Sequence, residues 1–420
     1  MPDTVAPDDF THSIYVEPGD ALIWGQLTAE PATLIEALDA QCGTLGGIRA
    51  FVGMSLGEAL GPESGDHIDL SFAGGASTNH RFARDGRLNT LPVHLSRIPH
   101  HIAAGDIPCD IALIHASGDA GKGLNLALSA DYMGAAVTQA RTVIAELNDK
   151  LPETYGETAI DLDAVDAVVA TSRPPPIFAP PPPGDAERSI GALIAKLVPD
   201  RATLQMGIGA IPDAVLEAMA HKRDLSVHSG LVTDKVVDLI ERGVVTNRYK
   251  EIDEGQTVAA ILYGTDRLYR WSHRNQALSL RSVAHTHASE VLARFDRFFA
   301  INTAIEVDMT GQINGEMASG RPVGLIGGQV DFGRAGLASP GGRSIIALRS
   351  TARGGKVSTI VPRLADGVVT TARSDVDVVV TEYGMAELAG IPVFERARRL
   401  VAIAHPDFRN ELLSSLDRLF

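Results

Sequence analysis

The sequence predicts an α/β protein with two lobes, each built around a mostly parallel sheet flanked by helices. Short apolar runs alternate with helix-like segments along the chain, which is the pattern of βαβ units. The 420 residues exceed what one hydrophobic core usually serves, so two domains are expected. A proline-rich segment, residues 173–184, interrupts the alternation and excludes a helix interior or a central strand there.

The first lobe is predicted at residues 1–172. Its apolar runs Ala21–Trp24 and Ile111–Ile114 are typical of buried strands, and Thr33–Leu38 has the composition of a helix. This order of elements favours a parallel sheet with helices on its faces.

The linker is predicted at residues 173–188, where the prolines favour an extended, polyproline-like chain. A role in docking a partner protein is the alternative for such a segment. The second lobe follows at residues 189–420, with a helix over Ser189–Leu197 and a strand over Val376–Thr381. We expect a ligand site between the two lobes.

Composition excludes several classes of function. The net charge of -15 argues against a nucleic-acid groove or an anionic membrane surface, which need clustered Lys and Arg. Cys42 and Cys109 are the only cysteines and lack metal-type spacing, so neither a disulfide framework nor a metal site is expected. The acidic start of the chain and the absence of a long apolar run predict a cytoplasmic protein without a membrane span.

A strand, a glycine turn and a helix are predicted in succession around residue 207. Thr203–Met206 is apolar, Gly207 and Gly209 follow, and Pro212 suits the first turn of a helix. The N–H groups of such a helix start can bind an anion or a developing oxyanion. A plain tight turn is the alternative, and the missing third glycine excludes a dinucleotide fingerprint.

A second glycine cluster contains Gly324, Gly327 and Gly328, lies between segments predicted to be poor in helix, and is followed by the cations Arg353 and Lys356. Glycine-rich backbone beside cations suits a long ligand that ends in phosphates. The alternative is an ordinary loop with solvated cations.

Several ordered motifs together resemble the acetyl-CoA hydrolase/transferase family, which includes the 4-hydroxybutyrate CoA-transferases. In the second half these motifs are Gln205–Leu216, Asp238–Asn247, Ile301–Gln312, Gly327–Phe332, Gly354–Ser358, Val380–Gly384 and Ala404–Phe408. In the first half they are Ser96–Pro99, Asp110–Ile114, Ala130–Tyr132 and Val143–Asn148. The resemblance covers nearly the whole chain and implies the two-lobed CoA-transferase fold.

The resemblance also implies a ligand and a mechanism. Coenzyme A, as a thioester, would lie mainly on the second lobe, and a family glutamate would attack the acyl carbonyl before a small carboxylate resolves the glutamyl-CoA intermediate. Related proteins commonly assemble, so a homo-oligomer is expected. Residues carried over by position are Gly207, Gly209 and Val215 near the oxyanion, and Asn302, Gly324, Gly327 and Gly328 along the coenzyme. Lys356 is expected to bind a phosphate because it lies beside the glycine clusters.

One position departs from the family pattern. The family's nucleophilic glutamate lies fifteen residues after the valine that corresponds to Val215, and this register gives Gly230. Glycine has no side chain that could form an acyl anhydride, so the family's exchange reaction cannot run through this position. Loss of a covalent nucleophile typically costs several orders of magnitude in rate.

The first interpretation of this departure is water-dependent cleavage of a coenzyme A ester, either at the thioester or at a carbon–carbon bond. The candidate polar groups are His228 and Ser229, just before Gly230, together with His285 and His287. If Val283–His287 were a strand, these two imidazoles would share one face.

The second interpretation is transfer through another carboxylate, with Glu251, Glu306 and Glu316 as candidates. Glu306 is favoured because it lies inside the motif that begins at Ile301. The third interpretation is binding of acyl-CoA without turnover. In the first lobe, Gln26 and Thr28 are expected to contact the acyl group.

Overall fold

The computed structural model describes residues 2–365 and 367–419, and the chain divides into two compact units. Unit 1 comprises Met1–Phe178, Val258–Thr286 and Arg321–Leu325. Unit 2 comprises Ala179–Thr257, His287–Gly320 and Ile326–Phe420. Each unit therefore combines segments that are distant in sequence.

The strands lie mostly in two sheets, with several short pairs beside them. In chain order through the first half they are β1 (Asp3–Val5), β2 (Ala21–Trp24), β3 (Ile48–Phe51), β4 (Ile68–Phe72), β5 (Leu88–Thr90), β6 (Ile111–Asp119), β7 (Gly123–Asn125), β8 (Thr142–Asn148), β9 (Ala159–Ile160), β10 (Ala167–Thr171), β11 (Thr203–Met206), β12 (Ser226–Val227) and β13 (Leu231–Val232). They continue as β14 (Thr257–Ala259), β15 (Ile261–Leu262), β16 (Leu278–Leu280), β17 (Phe298–Thr303), β18 (Glu306–Asp308), β19 (Ile313–Asn314), β20 (Met317–Ala318), β21 (Arg321–Pro322), β22 (Arg343–Ala347), β23 (Thr351–Ala352), β24 (Val357–Ser358), β25 (Ile360–Val361), β26 (Val378–Thr381) and β27 (Gly384–Glu387).

The α-helices separate these strands along the chain. They are α1 (Ala32–Gln41), α2 (His80–Arg84), α3 (Ile98–Ala104), α4 (Met133–Gln139), α5 (Asp185–Leu197), α6 (Ala210–Ala218), α7 (Asp234–Glu241), α8 (Asp266–Ser272), α9 (Val283–Thr286), α10 (Ser289–Leu292), α11 (Gln329–Ala338), α12 (Val393–Ile403) and α13 (Pro406–Leu419).

Unit 1 is built on a large sheet whose main path runs β1-β10-β8-β6-β2-β3-β4-β5. All neighbours on this path are parallel. The central strand β6 is buried over its first seven residues, as expected for a parallel strand that is covered on both faces. The strands predicted at Ala21–Trp24 and Ile111–Ile114 and the helix predicted at Thr33–Leu38 are confirmed.

Unit 2 has a six-stranded sheet in the order β12-β11-β17-β22-β26-β27, parallel except for the final pair. Its helix α11 packs against β17 and β22, and α12 packs against β27. Helices α5 and α6 pack closely at Gly191, where an added β-carbon would lie 2.5 Å from the carbonyl oxygen of Ala214. The predicted α/β class is confirmed in both units.

Three local predictions differ from the structure. The segment that contains His285 is the helix α9, and His287 follows its end, so the two imidazoles do not lie on one strand face. The region after Gly328, predicted to be poor in helix, forms the ten-residue helix α11. Helix α5 begins at Asp185, four residues before the predicted helix, because Glu187 accepts a hydrogen bond from the Gly184 N–H and so caps the start.

Candidate functional site

The turn after β11 brings free backbone N–H groups to the carboxyl edge of the unit 2 sheet. Strand β11 ends at Met206, and α6 begins three residues after Gly207, so the predicted strand, turn and helix are confirmed. Gly209 has a φ of 109°, a conformation that side chains oppose. The N–H of Gly207 donates to the Ile301 carbonyl, 3.1 Å away. The N–H groups at the start of α6 remain suited to an anion or oxyanion.

The loop after β12 lies beside this turn. Ser229 donates through Oγ to the Met206 carbonyl, 3.2 Å away, and its Oγ accepts from the Met206 N–H at 3.3 Å. The N–H of His228 donates to the Leu204 carbonyl, and its ring packs against Phe295. The Ser229 hydroxyl therefore fastens the loop to β11, which is a positioning role rather than that of a free nucleophile.

Gly230 is buried at the end of this loop, and an imidazole lies beside it. A β-carbon added to Gly230 would be 3.2 Å from the Nε2 and Cε1 atoms of His287 and 3.8 Å from the Phe332 ring. His287 is itself buried, and burial lowers the pKa of its imidazole to about 3. The ring is thus neutral near pH 7 and has one nitrogen that donates and one that accepts.

A pair of amides lies between β11 and β17. Asn302 Nδ2 donates to Gln205 Oε1 at 3.0 Å, and Gln205 Nε2 donates to Asn302 Oδ1 at 3.2 Å. Both residues are largely buried. Sequence reasoning singled out Asn302 alone. The position of Gln205 near the end of a buried strand, two residues before Gly207, was the available signal.

The second glycine cluster is divided between the units. Gly324 belongs to unit 1, where its carbonyl accepts from the Gly75 N–H at 3.0 Å. Gly327, with a φ of 60°, and Gly328 belong to unit 2 and lead into α11. A β-carbon on Gly328 would overlap the ring of His287. Glycine at this position therefore has a packing cause that needs no ligand.

The three candidate carboxylates occupy different places in unit 2. Glu306 begins β18, three residues after β17 ends, and so lies at the carboxyl edge. Glu251 is exposed and accepts from the Asp296 N–H at 3.2 Å. Because Asp296 precedes β17, Glu251 lies at the opposite, amino edge. Glu316 accepts a 2.6 Å hydrogen bond from Thr370 Oγ1.

The remaining predicted site residues differ in exposure. Val215 is fully buried in α6 and contributes to the core. Lys356 is exposed in the turn that joins β23 to β24, where Gly354 and Gly355 have positive φ. The structure thus gathers the β11 turn, the loop that ends at Gly230, His287 and Gly328 on one side of the unit 2 sheet.

The sequence is similar to known proteins over almost its full length. Residues 62–178 match the acetyl-CoA hydrolase/transferase N-terminal domain, and residues 264–416 match the C-terminal domain. The 4-hydroxybutyrate coenzyme A transferase of Clostridium kluyveri is 36% identical, over 96% of this chain and 95% of that protein. The chain belongs to the acetyl-CoA hydrolase/transferase family.

Other members of the family carry different activities in their names. The acetyl-CoA hydrolase of Eremothecium gossypii is 28% identical over 86% of this chain and 79% of its own length. The crystal structure of RipA from Yersinia pestis superimposes with a TM-score of 0.93 at 32% identity, covering 100% of this chain and 98% of that chain. Coenzyme A is therefore the expected ligand of this family member.

Unit 1 of this family member contains a cavity of about 660 Å³ lined in part by Glu30, His115 and Glu146. Burial raises the pKa of the Glu30 carboxyl to about 7, and Leu56 N–H donates to its Oε2 at 3.2 Å. Burial also lowers the pKa of His115. The side chains of Ser55, Asn148 and Thr33 hydrogen-bond to Glu30, His115 and Glu146, respectively. The cavity is therefore a polar pocket, with an apolar wall at Pro174, Pro176, Ile177 and Phe178.

The two unit 1 residues expected to contact an acyl group are fully buried. Gln26 Nε2 donates to Asp131 Oδ2 at 2.5 Å, and Thr28 Oγ1 donates to the Leu262 carbonyl at 2.6 Å. Burial raises the pKa of the Asp131 carboxyl to about 7.

Among residues 2–365 and 367–419, there is no group of three or more His, Cys, Asp and Glu side chains arranged to hold a metal ion. The described helices include none whose length and apolarity would allow a membrane crossing.

Proposed function

We propose that this family member hydrolyses an acyl-CoA thioester with water as the nucleophile. The observation that carries the proposal is the environment of Gly230, the position at which the sequence register predicts the family's nucleophilic glutamate. No side chain projects from this residue, and the ring of His287 fills the adjoining space. A covalent carboxylate nucleophile is therefore missing where the family mechanism needs one.

The proposed reaction uses the β11 turn as the oxyanion site. The water oxygen forms a bond to the thioester carbonyl carbon, the carbon–sulfur bond breaks, and coenzyme A leaves as a thiol after it takes a proton. The other products are the acyl carboxylate and one proton. N–H groups from Ile208 to the start of α6 would stabilise the tetrahedral oxyanion, while Gly209, Asn302, Gly327 and Lys356 would contact the coenzyme. His228 and Ser229 would hold the loop that borders the reacting carbon.

A second candidate function is CoA transfer through Glu306. The position of this carboxylate at the same carboxyl edge as Gly207 favours it over Glu251, which lies at the amino edge. In that case Glu306 would attack the thioester and form an anhydride as the carbon–sulfur bond breaks, and the released thiolate would attack the glutamyl carbonyl and free the acyl carboxylate. A small carboxylate would then accept coenzyme A from the glutamyl-CoA intermediate and restore Glu306. Cleavage of a carbon–carbon bond in the acyl chain is a variant of the water-dependent reaction that uses the same binding site.

The experiment combines a single-turnover reaction in ¹⁸O-labelled water with trapping of the protein. Each acyl-CoA ester is incubated with the protein, free thiol is measured, and the protein is treated with hydroxylamine or borohydride before mass spectrometry. Hydrolysis predicts thiol release without an added carboxylate, one ¹⁸O atom in the first product carboxylate, and no protein adduct.

Two variants identify the group responsible. Glu306→Gln should retain thiol release if water attacks directly and should lose it if Glu306 is the nucleophile. Glu251→Gln is the matched control, since it removes a carboxylate from the other edge of the same sheet. An adduct on a peptide that contains Glu306 would indicate that the reaction is CoA transfer and not direct hydrolysis. Tight acyl-CoA binding with neither thiol release nor an adduct would indicate a protein that binds without turnover.

A further inference from the structure

We propose that His287 selects the type of reaction, because its imidazole occupies the space that a nucleophilic side chain at position 230 would need. This inference rests on the proposed function for its chemical meaning, while its steric basis is independent of any substrate. His287 would then be a positioning residue that excludes covalent catalysis and leaves water as the attacking group.

The imidazole of His287 lies close to Gly230. A β-carbon on Gly230 would lie 3.2 Å from two atoms of the ring. Contacts this short require the neighbour to move by a few tenths of an ångström, and any longer side chain keeps this contact because the backbone fixes the position of its β-carbon. Gly230 is not in the left-handed region of φ, so packing and not backbone strain opposes a side chain here.

The ring of His287 has little room to move. Its Cδ2–Nε2 edge lies against Gly328, where a β-carbon would overlap the ring. The Phe332 ring lies 4.4 Å from it between ring centroids, and Phe332 is itself packed with Phe298 in a buried cluster. Densely packed interiors respond to added volume by strain because they contain few voids.

The imidazole of His287 is also uncharged near pH 7. It therefore neither repels the anionic groups of a bound thioester nor attracts a carboxylate nucleophile. The pair Gly230 and His287 therefore provides a neutral, polar wall in place of a carboxylate. We infer that the two identities depend on each other: a carboxylate at 230 requires a smaller residue at 287.

The test compares Gly230→Glu, His287→Ala and the double variant that combines them. In thermal unfolding without substrate, Gly230→Glu should lower the melting temperature by more than about 5 °C. The double variant should regain at least half of that loss, because removal of the imidazole provides room for the new carboxylate. The matched control combines Gly230→Glu with His285→Ala, which removes a neighbouring imidazole that does not contact Gly230, and it should regain nothing.

The catalytic readout uses the same variants with acyl-CoA. In the double variant the introduced carboxylate should attack the thioester carbonyl, forming an anhydride as the carbon–sulfur bond breaks. The released thiolate should then attack the side-chain carbonyl of that anhydride, which frees the acyl carboxylate and leaves a glutamyl-CoA thioester. Hydroxylamine would convert this thioester into a hydroxamate on the peptide that contains position 230.

The outcomes separate the inference from the function on which it rests. Equal melting temperatures for Gly230→Glu and the unaltered protein would overturn the inference. So would a double variant that remains folded and binds coenzyme A but forms no adduct. If the unaltered protein releases no thiol, the proposed hydrolysis fails, whereas recovery of stability and an adduct in the double variant would still support the role of His287.

Discussion

The side-chain amides of Gln205 and Asn302 hydrogen-bond to each other twice, across neighbouring parallel strands. Each amide supplies one donor and one acceptor to the other, so the pair fixes the orientation of both groups. Gln205 lies two residues before Gly207, so the pair links the packing of the unit 2 sheet to the proposed coenzyme site.

Replacement of either residue should show how much the paired amides contribute to stability. Gln205→Ala or Asn302→Ala should each lower the free energy of unfolding by about 1–3 kcal/mol, since the remaining buried amide loses its partner. The double variant should cost less than the sum of the two, because it leaves no unpaired amide. Urea unfolding of all four proteins gives the coupling energy. Strictly additive losses would mean that the two hydrogen bonds contribute nothing to stability.

Gly207→Ala tests where coenzyme A binds. An added β-carbon would lie 3.8 Å from Pro212 and 3.9 Å from the Ile301 carbonyl oxygen, which are ordinary contact distances. The fold should thus accept the methyl group, and the melting temperature should stay within about 2 °C of the original value. If the ligand lies against this backbone, calorimetry should show coenzyme A binding weakened about tenfold or more, or 1.4 kcal/mol. Unchanged affinity would remove Gly207 from the coenzyme site.

The elements of the fold could be predicted because their signals are local. The buried run Ile111–Ile114 and the sequence of strand, glycines and Pro212 carry their structure in a few neighbouring residues. The helix after Gly328 was missed because its first residues include glycine and few strong helix formers. The length of chain before it is also rich in glycine, so the helix start has no distinct capping signal.

The contact between His287 and Gly230 could not be predicted, because it joins residues 57 positions apart. Sequence reasoning named His287 as a polar candidate but placed it on a strand with His285. The spacing of two residues between these histidines matches strand alternation, whereas α9 ends between them. The packing of His287 against Gly328 and Phe332 depends on the folded chain and leaves no local signal in the sequence.

Asp131 should make stability depend on pH in the range where most carboxylates are already charged. Its folded pKa is raised to about 7 from an ordinary value of 3.8, so between these values the folded state holds a proton that the unfolded state has released. Stability from this group is complete below about pH 3.8 and is lost as pH rises through 7, with a slope of at most about 1.4 kcal/mol per pH unit.

Asp131→Asn should reduce this loss of stability with rising pH. The amide oxygen can still accept the hydrogen bond from Gln26, and asparagine tolerates the positive φ of 28° at this position. Urea unfolding at several pH values between 4 and 8 would measure the change. Asp163→Asn, which alters an exposed carboxylate in the same unit, should leave the slope unaltered. Equal slopes in Asp131→Asn and the unaltered protein would show that Asp131 does not hold its proton in this range.

The close packing of α5 on α6 gives the last prediction. Gly191 lies at the contact, and an added β-carbon would be 2.5 Å from the Ala214 carbonyl oxygen and 3.0 Å from the Val215 nitrogen. These are backbone atoms, which cannot turn away as a flexible side chain can, so Gly191→Ala should force the helices apart and lower the free energy of unfolding by about 1–3 kcal/mol.

Gly134 in α4 is a matched control, because it is exposed and nothing lies within 4 Å of its β-carbon position. Gly134→Ala should stabilise the protein by about 0.5–1 kcal/mol through helix propensity. Opposite signs in urea unfolding would tie the α5–α6 contact to glycine at position 191, and a stabilising effect at both sites would show that the two helices can separate without loss.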